Sequence, residues 1–98
     1  MQIYVIYMLK EIECRVTGKV QMVLFRDFVQ KKARALELVG FVENMDDGSV
    51  QIVAQGIKER LEKLVEYLHK GPFLARVARI DVEWRDSQEQ FSDFKILY

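Results

Sequence analysis

In the first half of the chain, the spacing between apolar residues changes once, from two to three and four. From residue 11 to residue 17 every second side chain is apolar (Ile12, Cys14 and Val16), which is typical of a strand with one buried face. From residue 25 the apolar spacing becomes three and four, which predicts an amphipathic helix. Residues 18–24, between these segments, follow neither period. The inner positions of the helix are Phe25, Phe28, Val29, Lys32, Ala33 and Leu36.

The second half repeats the same alternation of strand and helix. Phe41–Met45 is predicted to form a second strand, and the Asp-Gly pair at residues 47–48 indicates a hairpin. A third strand follows, and then a helix that Gly71 and Pro72 end. We expect Trp84, in the fourth strand, to lie in the core. The inner positions of these later elements are Val50, Ile52 and Ala54, then Ile57, Leu61, Leu64, Val65 and Leu68, then Ala78, Ile80, Val82 and Trp84, and finally Phe94, Ile96 and Tyr98.

This order of elements predicts an α+β fold. The expected architecture is a ferredoxin-like βαββαβ sandwich, an antiparallel sheet with two helices on one face and a short C-terminal fifth strand. Residues 10–98 make one domain, preceded by an apolar N-terminal extension, residues 1–9. The extension is too short to span a bilayer, which takes about 20 residues. Two interpretations of it stay open: Met8 is the natural start, or the segment is a strand that pairs with a sheet edge.

Composition excludes several kinds of chemistry. Lys+Arg and Asp+Glu are both 15, so the net charge is zero and a nucleic-acid partner is not expected. A single cysteine rules out an intrachain disulfide and a cysteine-based zinc site, and we expect Cys14 to be a buried small hydrophobe. With one histidine as well, no metal and no cofactor are expected. We also expect no membrane partner and a cytoplasmic location, because no segment resembles a targeting signal.

The candidate chemistry lies between the first strand and the first helix. A turn there can direct several backbone N–H groups at one point, and the start of a helix adds partial positive charge. Arg26, in the first helical turn, adds a planar and permanently charged fork. Asn44 lies late in the second strand, just before the hairpin. The ordinary interpretation is a plain connecting loop with a solvated arginine. The candidate phosphate-binding residues are Gly18, Lys19, Val20, Gln21, Met22, Val23, Leu24 and Arg26.

Residues 16–26, Val-Thr-Gly-Lys-Val-Gln-Met-Val-Leu-Phe-Arg, resemble the phosphate loop of the acylphosphatase family, Gly-x-Val-Gln-Gly-Val-x-Phe-Arg. The similarity continues beyond the loop and covers residues 10–98. Because the motifs match together in spacing, the joint pattern is more specific than any one motif. Its further parts are Ala33–Asn44, Asp47–Val50, Gln55–Gly56, Gly71–Pro72, Ala75–Val77 and Phe94–Tyr98.

The resemblance implies metal-independent hydrolysis of the carboxyl-phosphate bond of small acyl phosphates to carboxylate and phosphate. It assigns Arg26 to the phosphoryl oxygens, together with the N–H groups of residues 19–24, and Asn44 to the attacking water. Gln21 would belong to the same cradle. The leaving group is already a stable carboxylate, so positioning and charge stabilisation are enough. Arginine and asparagine do not titrate near neutrality, and we expect a flat rate between about pH 5 and 8.

Two alternatives to an active enzyme remain. Met22 stands where the family has a glycine, which supplies a positive φ or lets phosphate approach the backbone. In the first alternative, Met22 impairs the loop, and the chain is a catalytically weakened, acylphosphatase-like module that binds an anion or a partner. The other alternative is an interaction domain that self-associates through residues 1–9. The leading expectation is a monomer.

Overall fold

The elements follow the order β1-α1-β2-β3-α2-β4-β5 in the computed structural model, which describes residues 9–87 and 89–98. The strands are β1 (Leu9–Lys19), β2 (Val39–Asn44), β3 (Val50–Ile57), β4 (Arg76–Asp86) and β5 (Phe94–Leu97), and the helices are α1 (Phe25–Ala35) and α2 (Lys58–Lys70). The expectations for residues 1–8 lie outside the described residues, and Leu9 already belongs to β1. Neither helix of the described part is long and apolar enough to cross a membrane.

The five strands form one sheet in the order β4-β1-β3-β2-β5. β1 pairs antiparallel with β3 and β4, and β2 pairs antiparallel with β3. The last strand differs, because β5 runs parallel to β2 with Gly40 opposite Phe94. β4 runs opposite to β2, so it ends at the end of the sheet where β2 begins. From there the chain enters β5, which runs in the same direction as β2. The predicted ferredoxin-like fold is confirmed, and the fifth strand makes its sheet mixed.

Both helices cover the same face of the sheet and enclose a single core. The alternating residues of β1 are fully buried there, as the sequence predicts, and so are those opposite them on β3. Burial raises the pKa of the Cys14 thiol to about 12, so the group stays protonated at neutral pH and packs as a small hydrophobe, as expected. The helices contribute Phe25, Val29 and Ala33 from α1 and Leu61, Leu64 and Leu68 from α2.

The core position predicted for Trp84 is wrong. Trp84 lies opposite Ile12 and therefore on the predicted face, but 42% of it is exposed. The reason is topological: β4 is the outermost strand on its side, and Val82, opposite the buried Cys14, is exposed there as well. The period of a strand indicates which residues share a face. It does not indicate whether a helix covers that part of the face.

The sheet brings the ends of β1 and β2 to the same edge. Val16 and Asn44 both lie opposite Val50 at the start of β3, so the loop after β1 emerges beside the end of β2. The same loop leads directly into α1. The candidate loop, Arg26 and Asn44 are therefore neighbours although they are separated along the chain.

Candidate active site

Gly18 shapes the exit from β1. Its φ is +130°, and a Cβ at this position would lie 2.1 Å from the carbonyl oxygen of Arg76 on the neighbouring strand. The register between β1 and β4 shifts at the same point, between Thr17 and Gly18. Lys19 is the last residue of β1, opposite Arg76, and is exposed. These two predicted phosphate-binding residues therefore belong to the strand that leads into the loop.

The backbone of residues 20–24 has an unusual conformation for a loop without glycine. Met22 has φ 60° and Leu24 has φ 62°, whereas the φ values of Gln21 and Val23 are not positive. A left-handed conformation costs a residue with a Cβ about 1–2 kcal/mol. Such alternation turns successive N–H groups toward one side, as in anion-binding nests. Within the described residues, none of the N–H groups of 20–24 donates to a protein acceptor.

Two kinds of contact hold this loop in place. Val20 is fully buried and Val23 packs against the core, so the loop is attached to the hydrophobic interior at two points. The side-chain amide of Gln21 donates to the carbonyl oxygens of Met45 and Ser49, both at 2.8 Å. The amide group of Gln21 thus joins the loop to the β2–β3 hairpin. The backbone N–H of Gln21 has no protein acceptor among the described residues and can belong to the predicted phosphate cradle.

Asp47 stiffens the hairpin that Gln21 contacts. One carboxylate oxygen accepts from the Ser49 hydroxyl at 2.6 Å and from the Ser49 N–H at 3.0 Å. The other accepts from Arg15 at 3.0 Å. The Ser49 hydrogen bonds, more than the arginine, hold the pKa of Asp47 below its usual value. The carbonyl of Ser49 therefore presents a fixed acceptor to Gln21.

We expect Gln21→Ala to weaken phosphate binding more than it slows chemistry. The loop would lose its tie to the hairpin, and the N–H groups would converge less often, so KM and the inhibition constant of inorganic phosphate should rise about tenfold. The change in kcat should be smaller. Gln30→Ala is the matched control, because that amide donates to the Phe94 carbonyl outside the loop. Unchanged phosphate inhibition in Gln21→Ala would contradict this positioning role.

Arg26 lies in the first turn of α1, directly after the loop. Its Nη1 donates to the carbonyl oxygen of Leu97 at 3.3 Å, and its guanidinium carbon lies 4.8 Å from the centre of the Tyr98 ring. The end of the chain therefore orients the guanidinium by a hydrogen bond and a cation–π contact. Sequence reasoning missed this contribution of Leu97 and Tyr98, since no spacing or motif connects them with Arg26.

Asn44 lines the same cavity. Its Oδ1 is buried and has no hydrogen-bond partner among the described residues. A buried acceptor without a donor costs about 1–3 kcal/mol, so this oxygen would gain from a donor inside the site. The cavity has a volume of about 320 Å³. It is lined by Val20, Met22, Leu24, Phe25, Arg26, Asp27, Asn44, Ile96 and Tyr98.

Met22 does not obstruct this cavity. The residue adopts the left-handed conformation that its position requires, and its side chain is 98% exposed at the cavity mouth. The thioether therefore leaves the hollow beside the loop open. Of the predicted site residues, Val20, Met22, Leu24, Arg26 and Asn44 line the cavity. Gly18 shapes the exit from β1, Gln21 and Val23 anchor the loop, and Lys19 is an exposed residue at the end of β1.

A loop at a helix start, a guanidinium and a carboxamide around one cavity on a ferredoxin-like scaffold are groups suited to binding an anion. Comparison with known proteins identifies the family. The family model "Acylphosphatase" matches residues 12–96. An acylphosphatase from Salinibacter ruber is 44% identical over 87 residues, which cover 89% of this chain and 92% of that protein.

Solved structures show the same similarity in three dimensions. The acylphosphatase of Bacillus subtilis has a TM-score of 0.89 and 38% identity, with 91% of this chain and 99% of that one covered. The acylphosphatase of Coxiella burnetii has a TM-score of 0.88 and 38% identity, covering 93% and 95%. The chain belongs to the acylphosphatase family. The predicted family, enzyme class and hydrolysis of acyl phosphates are thereby confirmed, and the weakened-module alternative is not favoured.

Proposed function

We propose that this cavity hydrolyses acyl phosphates without a metal, and that Arg26 and Asn44 are its catalytic residues. Arg26 and the N–H groups of the loop bind the phosphoryl oxygens, and Asn44 holds the attacking water. The observation that supports this most is that Asn44, whose buried Oδ1 has no partner among the described residues, lines the same cavity as Arg26. One group attracts an anion, and the other accepts a hydrogen bond from water.

The proposed reaction is an in-line displacement at phosphorus. Water donates one hydrogen bond to Asn44 Oδ1, which directs a lone pair of the water oxygen at the phosphorus atom. The P–O bond to the acyl group breaks, the carboxylate leaves, and the proton of the water ends on a phosphate oxygen. In the transition state the charge is spread over the three equatorial oxygens, where the guanidinium and the fixed N–H dipoles stabilise it. No general acid is needed for a carboxylate leaving group.

The test is phosphate release from acetyl phosphate in the presence of excess EDTA. We expect the rate to be unaffected by the chelator and flat between about pH 5 and 8, because arginine and asparagine keep their protonation state in this range. In the described part of the chain, no cluster of three or more His, Cys, Asp or Glu side chains is placed to hold a metal. Activity that disappears with EDTA and returns with Mg²⁺, or a bell-shaped profile centred near neutrality, would contradict the proposal.

A cytoplasmic monomer that binds no nucleic acid remains our prediction. The supporting observation is the equal number of acidic and basic residues, which gives no positive field for a nucleic acid. The solution mass of the full chain, compared with a version lacking residues 1–7, tests the monomer against self-association through the N-terminal extension. A larger mass for the full chain alone would favour self-association.

A further inference from the structure

We propose that this site prefers acyl phosphates with an apolar or aromatic acyl group, and that Met22 and Leu24 determine this specificity. The inference rests on the proposed function, because it takes the phosphoryl group to lie at the loop beside Arg26. It concerns the part of the substrate that the reaction releases as a carboxylate. Neither Met22 nor Leu24 has a catalytic role here beyond its backbone.

The lining of the cavity combines few polar side chains with an apolar majority. Arg26 and Asn44 are the polar side chains that the phosphoryl group and the water would contact. The remaining lining is apolar or aromatic apart from Asp27. Small-molecule sites are usually built this way, with few polar groups fixing the orientation and apolar groups surrounding the rest. The apolar wall consists of Val20, Met22, Leu24, Phe25, Ile96 and Tyr98.

The direction of the reaction places the acyl group against the outer part of that wall. In an in-line displacement the leaving oxygen lies on the opposite side of phosphorus from the attacking water. The water is expected at Asn44, a half-buried residue of the cavity, so the acyl group points toward the exposed cavity mouth. The mouth carries Met22, Leu24 and Tyr98, which are 98%, 73% and 95% exposed. An apolar acyl group would cover surface that is otherwise in water.

The charges at the mouth disfavour an acyl group with a second anion. Arg26 is the single cationic residue among the lining residues of the described chain, and the phosphoryl group already uses it. Asp27, next to it on α1, is exposed and lines the same cavity. A second carboxylate on the acyl part would therefore approach a negative charge without meeting a free positive one.

The first experiment measures kcat/KM of the unmodified protein for acetyl, butyryl and hexanoyl phosphate. The parent acids have nearly the same pKa, so the leaving groups are chemically matched. Covering a methylene on one side should raise kcat/KM by about 1.8-fold, so hexanoyl phosphate, which is four methylenes longer, should exceed acetyl phosphate by about tenfold. Succinyl phosphate, with its second carboxylate, should be at least about threefold slower than butyryl phosphate. Equal values along the alkyl series would overturn the proposal without any variant.

The second experiment removes the apolar wall and keeps the loop conformation. Asparagine tolerates the left-handed backbone, so Met22→Asn with Leu24→Asn replaces both side chains at φ values that asparagine accepts. The hexanoyl-to-acetyl ratio should fall from about tenfold to below about threefold. The ratio cancels a general loss of activity. Phe73→Asn is the matched control, because Phe73 is 99% exposed but does not line the cavity.

The outcomes separate this inference from the proposed function. A double variant that keeps the tenfold ratio, or a Phe73→Asn variant that loses it, overturns the assignment to Met22 and Leu24. Competitive inhibition by inorganic phosphate is measured on every variant and reports on the phosphoryl end alone. One result would separate the two proposals: Arg26→Ala removes activity and phosphate inhibition, while the unmodified protein has the same kcat/KM for acetyl, butyryl and hexanoyl phosphate. The proposed function would then hold, and the acyl preference would be wrong.

Discussion

Arg26→Ala should reduce kcat/KM for acetyl phosphate by about 10³-fold or more. The guanidinium is the permanent positive charge in the cavity, and an arginine that stabilises a transferring phosphoryl group accounts for a factor of this size. Ground-state binding should also weaken, because the same group contacts the phosphoryl oxygens before reaction. The measurements are the initial rate of phosphate release and the inhibition constant of inorganic phosphate, which should rise together with the loss of rate.

Arg34→Ala is the matched control for this experiment. Arg34 lies on the same helix, but its guanidinium is paired with Asp93 at 3.0 Å and it does not line the cavity. We expect this variant to keep full activity. Arg26→Lys retains the charge but loses the planar fork, and should recover only a small part of the rate. An Arg26→Ala protein that still turns over at more than a tenth of the original rate would remove Arg26 from the proposed catalytic residues.

Local patterns were sufficient to predict the elements and the fold class. The alternation at Ile12, Cys14 and Val16 and the helical stripe from Phe25 each define one buried face, and the hairpin at Asp47 joins two strands that must be neighbours. The exposure of Trp84 could not be found in this way. It depends on the position of β4 at the sheet edge, which is set by how all strands are ordered.

The sequence was sufficient to propose candidate site residues, but it did not indicate most of their contacts. Arg26 and Asn44 follow from the similarity of the whole pattern to one family, whereas each residue alone is compatible with an ordinary loop or strand end. The left-handed conformation of Met22 depends on the loop being held on both sides of that residue. Val20 and Gln21 hold it before Met22, in the core and on the hairpin, and Val23 holds it after Met22 by packing against the core. Contacts of this kind form only after distant segments pack, and a strained backbone persists only where its surroundings impose it.

The contact between Tyr98 and Arg26 illustrates the same limit. The period of the last strand places Tyr98 on one face with Phe94 and Ile96, but it does not indicate that the ring lies over a guanidinium. That contact requires the parallel pairing of β5 with β2, which brings the end of the chain beside the start of α1. The predicted strand was therefore correct in place, whereas its influence on the site could be seen only in the structure.

Asn44→Ala should lower kcat by about 10²-fold and change phosphate inhibition little. The carboxamide is proposed to act on the attacking water, so its loss affects the reaction step more than binding of the phosphoryl group. Stability should stay equal or increase, because Oδ1 is a buried acceptor without a protein partner and its removal abolishes that unfavourable burial. The measurements are kcat for acetyl phosphate, the inhibition constant of phosphate and the midpoint of urea unfolding.

The combination of slower turnover with undiminished stability distinguishes this role from a structural one. A structural asparagine would lose stability and activity together, whereas a group reserved for the reacting water loses activity alone. Gln51→Ala is the control, because that amide donates to Glu13 at 2.8 Å and lies outside the cavity. It should leave kcat unchanged. If Asn44→Ala keeps the full kcat, the water must be held elsewhere; if unfolding also shifts to lower urea, Oδ1 takes part in holding the fold.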